Sequence, residues 1–123
     1  MSIMEKVKAA KLRLSTISAE EVKELAGRSD VLIVDVRDEH EIARGGKIEG
    51  ALHVSRGTLE FKADKASPLF NDDFEDAETI IVYCATGARA ALCGAALLDL
   101  GYKDVRTLET FNAWTEIDGP VDT

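Results

Sequence analysis

The run Val31-Leu32-Ile33-Val34-Asp35-Val36 constrains this chain most, because it is apolar on both faces as far as Asp35. A strand with one solvated face alternates apolar and polar residues. A run without alternation is the pattern of a central strand in a parallel sheet, covered by helices on either side. Thr79-Ile80-Ile81-Val82-Tyr83 is a second such run, β-branched and set off by acidic residues.

The intervening segments read as helices and shorter strands. Residues 1–13 mix lysines, alanines and isolated apolar residues, which suits a short surface helix, an N-terminal extension ahead of a domain over 14–123. Leu14 to Ile17 forms a short first strand. Ser18 followed three residues later by Glu21 is a capping box that opens a helix to about Ala26, closed by Gly27. A short helix is expected from Asp38 to Arg44 before Gly45-Gly46, a third strand over Ala51–Val54, and a helix from Thr58 to Ala66 ended by Ser67-Pro68. Asn71 to Glu78 reads as a solvated acidic loop. After the Thr79–Tyr83 strand, Ala90 to Leu100 is a helix rich in Ala and Leu, capped by Gly101. Val105–Leu108 makes a fifth strand and Phe111–Ile117 a last helical turn or two. Strands alternating with helices predict an α/β fold: a three-layer α/β/α arrangement around a parallel sheet of about five strands, with right-handed crossovers.

Chemistry concentrates in Cys84-Ala85-Thr86-Gly87-Ala88-Arg89, between the second apolar strand and the Ala-rich helix. Ligands of open α/β sheets bind at the carboxyl ends of strands. A helix N-terminus offers free N–H groups and partial positive charge, which favour a thiolate over a thiol. Cys84 is therefore the candidate nucleophile. The small residues let the backbone approach its sulfur, and Gly87 gives freedom of φ at the tightest point. Arg89 offers a fixed charge and a planar fork suited to a sulfonate or carboxylate. Cys93, four residues after Arg89 on the helix, reads as a packing residue. His40 and His53 fall away from the loop, and an ionised thiol needs no histidine base. Asp35 and Arg37, near a strand end, suit an ion pair or hydrogen-bond role, with Asp35 steadying the loop from below. Glu41 suits capping or pairing with an arginine, and Trp114 suits the core.

The 123-residue chain has a formal net charge of -8, which repels nucleic acid, and no basic cluster offsets it. No apolar run is long enough for a membrane span. The N-terminal lysines surround no apolar segment, so no secretory signal is expected, and two cysteines are too few for a disulfide scaffold. A reducing, cytoplasmic setting follows as an expectation.

Cys84-x4-Arg89 at a strand-to-helix turn resembles the single-domain rhodaneses, a sulfurtransferase family. Asp35-Val36-Arg37 with Glu41 resembles the family's first signature, and Gly46-Lys47-Ile48-Glu49-Gly50-Ala51 its Gly-His-Ile-x-Gly-Ala segment, with Lys47 in place of His. Gly101-Tyr102-Lys103-Asp104-Val105 and Ala113-Trp114 resemble its C-terminal third. One departure stands out: where the family commonly has Gly-Gly after the last strand, this chain reads Leu108-Glu109-Thr110-Phe111, either substituted or shortened by one residue.

The resemblance implies transfer of sulfane sulfur from thiosulfate or a persulfide through a Cys84 persulfide. Ala85, Thr86, Gly87, Ala88 and Arg89 would surround the small anionic or persulfide donor. The acceptor would be a thiol, cyanide or a protein, and neither cofactor nor metal is implied. A sulfur-carrier or interaction module loaded by a protein partner is the alternative. Related phosphatases and arsenate reductases resemble Cys-x5-Arg, a wider bowl for a tetrahedral oxyanion, and come third.

Overall fold

The computed structural model describes residues 1–123. Five strands form one parallel sheet in the order β1-β6-β5-β2-β4. They are β1 (Ser15–Ile17), β2 (Val31–Asp35), β4 (Leu52–His53), β5 (Thr79–Tyr83) and β6 (Asp104–Leu108). The two runs apolar on both faces, β2 and β5, lie side by side in the interior of the sheet.

Alternation along these strands divides the core in two. Val34, Ile80, Val82 and Val105 face one way, onto α4 (Leu59–Ala63) and α5 (Ala88–Asp99). Ile33, Ile81, Tyr83 and Leu108 face the other way, toward α2 (Ala19–Leu25) and α6 (Phe111–Glu116). Each face is thus apolar because each is covered by helices. The first helix, α1 (Ile3–Leu12), buries Val7 and Ala10 against Ala91 of α5. Both α1 and α2 begin with reciprocal Ser–Glu capping boxes, at Ser2–Glu5 and Ser18–Glu21.

Several sequence expectations are corrected. The helix expected over Thr58–Ala66 is a 3-10 turn at Arg56–Thr58 followed by α4, which ends at Ala63; Asp64 and Ser67 then build turns on their own side chains. The acidic segment Asn71–Glu78 is not wholly solvated. A 3-10 turn at Asp72–Phe74, capped by Asn71, buries Phe74 completely in the core. Strands β3 (Lys47–Ile48) and β7 (Val121–Asp122) form a small antiparallel sheet that the sequence pattern does not reveal. It is held by the Lys47 Nζ–Asp122 Oδ2 contact of 2.9 Å and by the Trp114 indole, which donates to the Pro120 carbonyl at 2.8 Å. Gly119 makes this return possible, since a Cβ there would lie 2.2 Å from the Trp114 ring.

The topology positions the site. From β2 the chain passes to β4 on one side, then to β5 on the other, so the strand order reverses at β2 and β5. Crevices form outside the carboxyl ends of strands at such points. Asp35 and Tyr83 are paired residues there, and Cys84 follows at once. No helix is long and apolar enough to cross a membrane.

Candidate active site

Cys84 leaves the end of β5 completely buried. Only Ala85, Thr86 and Gly87 separate it from α5, which begins at Ala88 rather than at the expected Ala90. Ala88 and Arg89 are good helix formers, and Gly87 supplies the break in direction, so the helix starts as soon as the turn allows. Gly87 has φ +98°, and a Cβ on it would lie 3.1 Å from the Glu109 carbonyl oxygen. Both facts call for glycine there.

This early start aims the first N–H groups of α5 back at the sulfur. Gly87 N–H donates to Cys84 Sγ at 3.0 Å and Ala90 N–H at 3.4 Å. Two backbone donors and the positive end of a 12-residue helix converge on one atom, so N–H groups already face any charge that develops there. Ala85, Ala88 and Arg89 are half-buried, and Thr86 is exposed at the tip of the turn.

Arg89 does not present a free fork to this cradle. Its Nη1 and Nη2 donate to the two carboxylate oxygens of Glu41 at 2.6 and 2.9 Å. Glu41 lies in the first turn of α3 (Glu39–Gly45) and also accepts the Asp38 N–H at 3.1 Å, capping that helix. The bidentate pair ties α3 to the start of α5, and the Arg89 hydrogen bonds hold the Glu41 carboxyl down at about 2. Sequence reading placed Arg89 on the donor; the tertiary fold brings in a carboxylate from 48 residues away that takes it first.

Asp35 and Arg37 form a buried pair. Arg37 donates its backbone N–H to Asp35 Oδ1 at 2.9 Å and its Nη2 to Oδ2 at 2.7 Å, with Nη2 also reaching the Gly46 carbonyl at 2.7 Å. Both Asp35 carboxylate oxygens are directed to Arg37, and none of their hydrogen bonds goes to the loop itself. The connection runs through aromatic residues that the sequence did not single out. The Arg37 guanidinium carbon lies 4.3 Å from the Phe111 ring centre and 5.7 Å from that of Tyr83. Those rings stack at 5.8 Å, and the Phe111 N–H donates to the Cys84 carbonyl at 3.1 Å. The Tyr83 hydroxyl accepts the Ile48 N–H at 2.9 Å, and burial pushes its pKa up. Nothing in the local pattern of Tyr83 or Phe111 distinguishes them from ordinary core aromatics.

The remaining candidates are placed as follows. Cys93 is buried inside α5, and burial pushes its thiol up to about 12. His53 Nε2 lies 2.7 Å from the Arg37 carbonyl oxygen and His40 is exposed; neither bonds Cys84. Trp114 is core. No group of three or more His, Cys, Asp or Glu side chains converges to hold a metal ion. At the turn after β6, no residue has positive φ, so the backbone there needs no glycine. Glu109 turns its carbonyl toward Gly87 while the residue itself is exposed, and Thr110 caps α6.

Comparison with known proteins identifies the family. Residues 18–116 match the Rhodanese-like domain family. The chain is 33% identical over 118 residues to the dual specificity phosphatase Cdc25 of Arabidopsis thaliana, covering 88% of this chain and 77% of that protein. It is 28% identical to the tRNA uridine(34) hydroxylase of Photorhabdus laumondii, but spans only 26% of that protein. Among solved structures, a possible tyrosine phosphatase of unknown function from Rhodopseudomonas palustris superposes with a TM-score of 0.90 at 36% identity, covering 99% of this chain and 95% of that one. The polysulfide-sulfur transferase homodimer of Wolinella succinogenes gives 0.74 at 32% identity, with coverage of 96% and 85%. The human single-domain sulfurtransferase gives 0.68 at 25%, with coverage of 82% and 95%.

Proposed function

This chain belongs to the rhodanese-like domain family, and from that premise we propose that it is a sulfurtransferase carrying sulfane sulfur on Cys84. The observation that carries the reading is the convergence of the Gly87 and Ala90 N–H groups on Sγ. In the first step the Cys84 thiolate attacks the outer sulfur of thiosulfate. A new S–S bond forms, the S–S bond of thiosulfate breaks, and its electron pair leaves with sulfite. In the second step a nucleophilic acceptor attacks the outer sulfur of the persulfide, and the bonding pair returns to Cys84. Neither step needs a metal, an added oxidant or a histidine base. The backbone cradle serves both steps, since each passes through negative charge at the position it surrounds.

The phosphatase names among the relatives favour a second reading less. Phosphoryl transfer calls for a guanidinium clamped on the transferring oxyanion. Arg89 instead has both terminal nitrogens on Glu41. A carrier role, in which a protein partner loads Cys84, uses the same cradle and differs only in the donor. We place the reaction in the cytoplasm, with small anionic or persulfide donors and thiol, cyanide or protein acceptors.

Intact-mass measurement after incubation with thiosulfate or inorganic polysulfide tests the reading. A gain of roughly 32 Da, removed by cyanide and absent in Cys84→Ser, is expected for a cysteine persulfide. No gain with either donor would overturn the enzyme reading in favour of a carrier loaded by a protein, and a gain only with polysulfide would identify the donor as polysulfide rather than thiosulfate.

A further inference from the structure

A cavity of about 230 Å³ opens beside the active loop, between the ends of β1 and β6 and the last turn of α1. Lys11, Thr16, Thr86, Gly87, Thr107 and Glu109 line it. Nothing in the sulfur-transfer scheme above uses it, apart from the two loop residues. Thr16 and Thr107 are direct cross-strand partners, so their side chains share one face of the sheet. Thr107 is only 9% exposed, but its hydroxyl reaches the cavity and, like those of the exposed Thr16 and Thr86, makes no hydrogen bond within the protein. A row of hydroxyls left open along one wall of a cavity is free to donate to and accept from a ligand.

The two charges bordering the cavity are also unspent. Lys11 and Glu109 are absent from every ion pair in the protein. Opposite charges on the wall of a small polar cavity suit a small molecule that itself carries both signs. The wall residue Gly87 donates its N–H to Cys84 Sγ at 3.0 Å, and the outer sulfur of a persulfide stands about 2 Å beyond Sγ.

We propose that this cavity recognises the α-amino-acid head of a zwitterionic thiol, of which free L-cysteine is the simplest, as the sulfur acceptor. Lys11 takes the carboxylate, Glu109 the ammonium, and the threonine hydroxyls the remaining hydrogen bonds. The acceptor thiolate attacks the outer sulfur of Cys84–S–SH, forming R–S–SH while the Cys84 S–S bond breaks and its electron pair returns to Sγ. Recognition of the acceptor rests on the sulfurtransferase reading; the cavity and its ligand chemistry do not.

Two measurements separate those dependencies. First, protein preloaded with polysulfide is discharged in single turnovers by L-cysteine, cysteamine, N-acetylcysteine and cyanide, with rates corrected for thiolate fraction. Cysteine should outpace cysteamine and N-acetylcysteine by about tenfold each, the scale of one charge-assisted contact. Lys11→Met should remove the advantage over cysteamine, and Glu109→Gln the advantage over N-acetylcysteine. Equal rates for the three thiols, with normal discharge to cyanide, would overturn the acceptor proposal and leave the sulfurtransferase reading standing. Second, L-serine, which has the same head and no thiol, is titrated into the native protein and followed by amide NMR. Shifts at Thr16, Thr86 and Thr107 that ethanolamine does not reproduce support the site even where no persulfide forms. Absence of shifts with serine overturns it.

Discussion

At Cys84 two hydrogen bonds do what no neighbouring side chain does. The donors to Sγ are backbone N–H groups of Gly87 and Ala90, so they cannot be removed by ordinary substitution, and the sulfur itself is the direct test. Cys84→Ser should abolish persulfide formation without lowering stability by more than about 1 kcal/mol, since a hydroxyl of similar size keeps acceptor geometry but is not ionised. Cys93→Ser should retain most activity, because burial holds that thiol protonated. Equal losses of activity in the two variants would instead indicate a thiol relay. Asp35 is a second residue with a specific cost. Its carboxylate is fully buried and pairs with the Arg37 guanidinium, so Asp35→Asn leaves a buried guanidinium without its counter-charge. Breaking a buried pair in this way typically costs about 3–5 kcal/mol. Urea denaturation should show a lower midpoint at unchanged slope, and an unchanged midpoint would mean that Phe111 and Gly46 suffice to hold Arg37.

At the scale of elements, the contact of consequence joins α3 to the N-terminus of α5. Glu41 and Arg89 form it, and Glu41 also caps its own helix. The pair is partly exposed, so its share of stability is about 1 kcal/mol. Its effect on the loop should be the larger signal. Arg89→Ala and Glu41→Gln should slow sulfur transfer from thiosulfate by similar factors, and the double variant should be little worse than either alone. Additive losses would mean that Arg89 leaves Glu41 to meet the donor. The pH dependence has a definite sign. Glu41 is held at about 2 in the folded protein, against an ordinary value of 4.5. Its contribution is therefore fully present above about pH 4.5 and is lost as pH falls toward 2. Thermal melts across that window should show Glu41→Gln losing less stability on acidification than the native protein.

At the scale of the whole molecule, a net charge of -8 opposes the approach of thiosulfate, a dianion. Glu109 adds a local negative charge near the loop. The kcat/KM for thiosulfate should therefore rise with ionic strength as screening increases. Glu109→Gly should raise it most at low salt. A flat salt profile together with no effect of Glu109→Gly would show that the donor approaches along another face. The chain alone determined the architecture and the place of Cys84 at a strand-to-helix turn, because both rest on local chemistry. Runs apolar on both faces, as in β2 and β5, have only one way to be buried. A cysteine between a buried strand and an Ala-rich helix must sit at a helix N-terminus. Tertiary structure decided what depends on residues distant in sequence: that Arg89 is spent on Glu41, that Arg37 lies over the Phe111 ring, that Phe74 enters the core, and that Lys11 and Glu109 border one cavity. Side chains far apart in the chain meet only when the helices and strands carrying them pack, and no periodicity in the chain encodes such meetings.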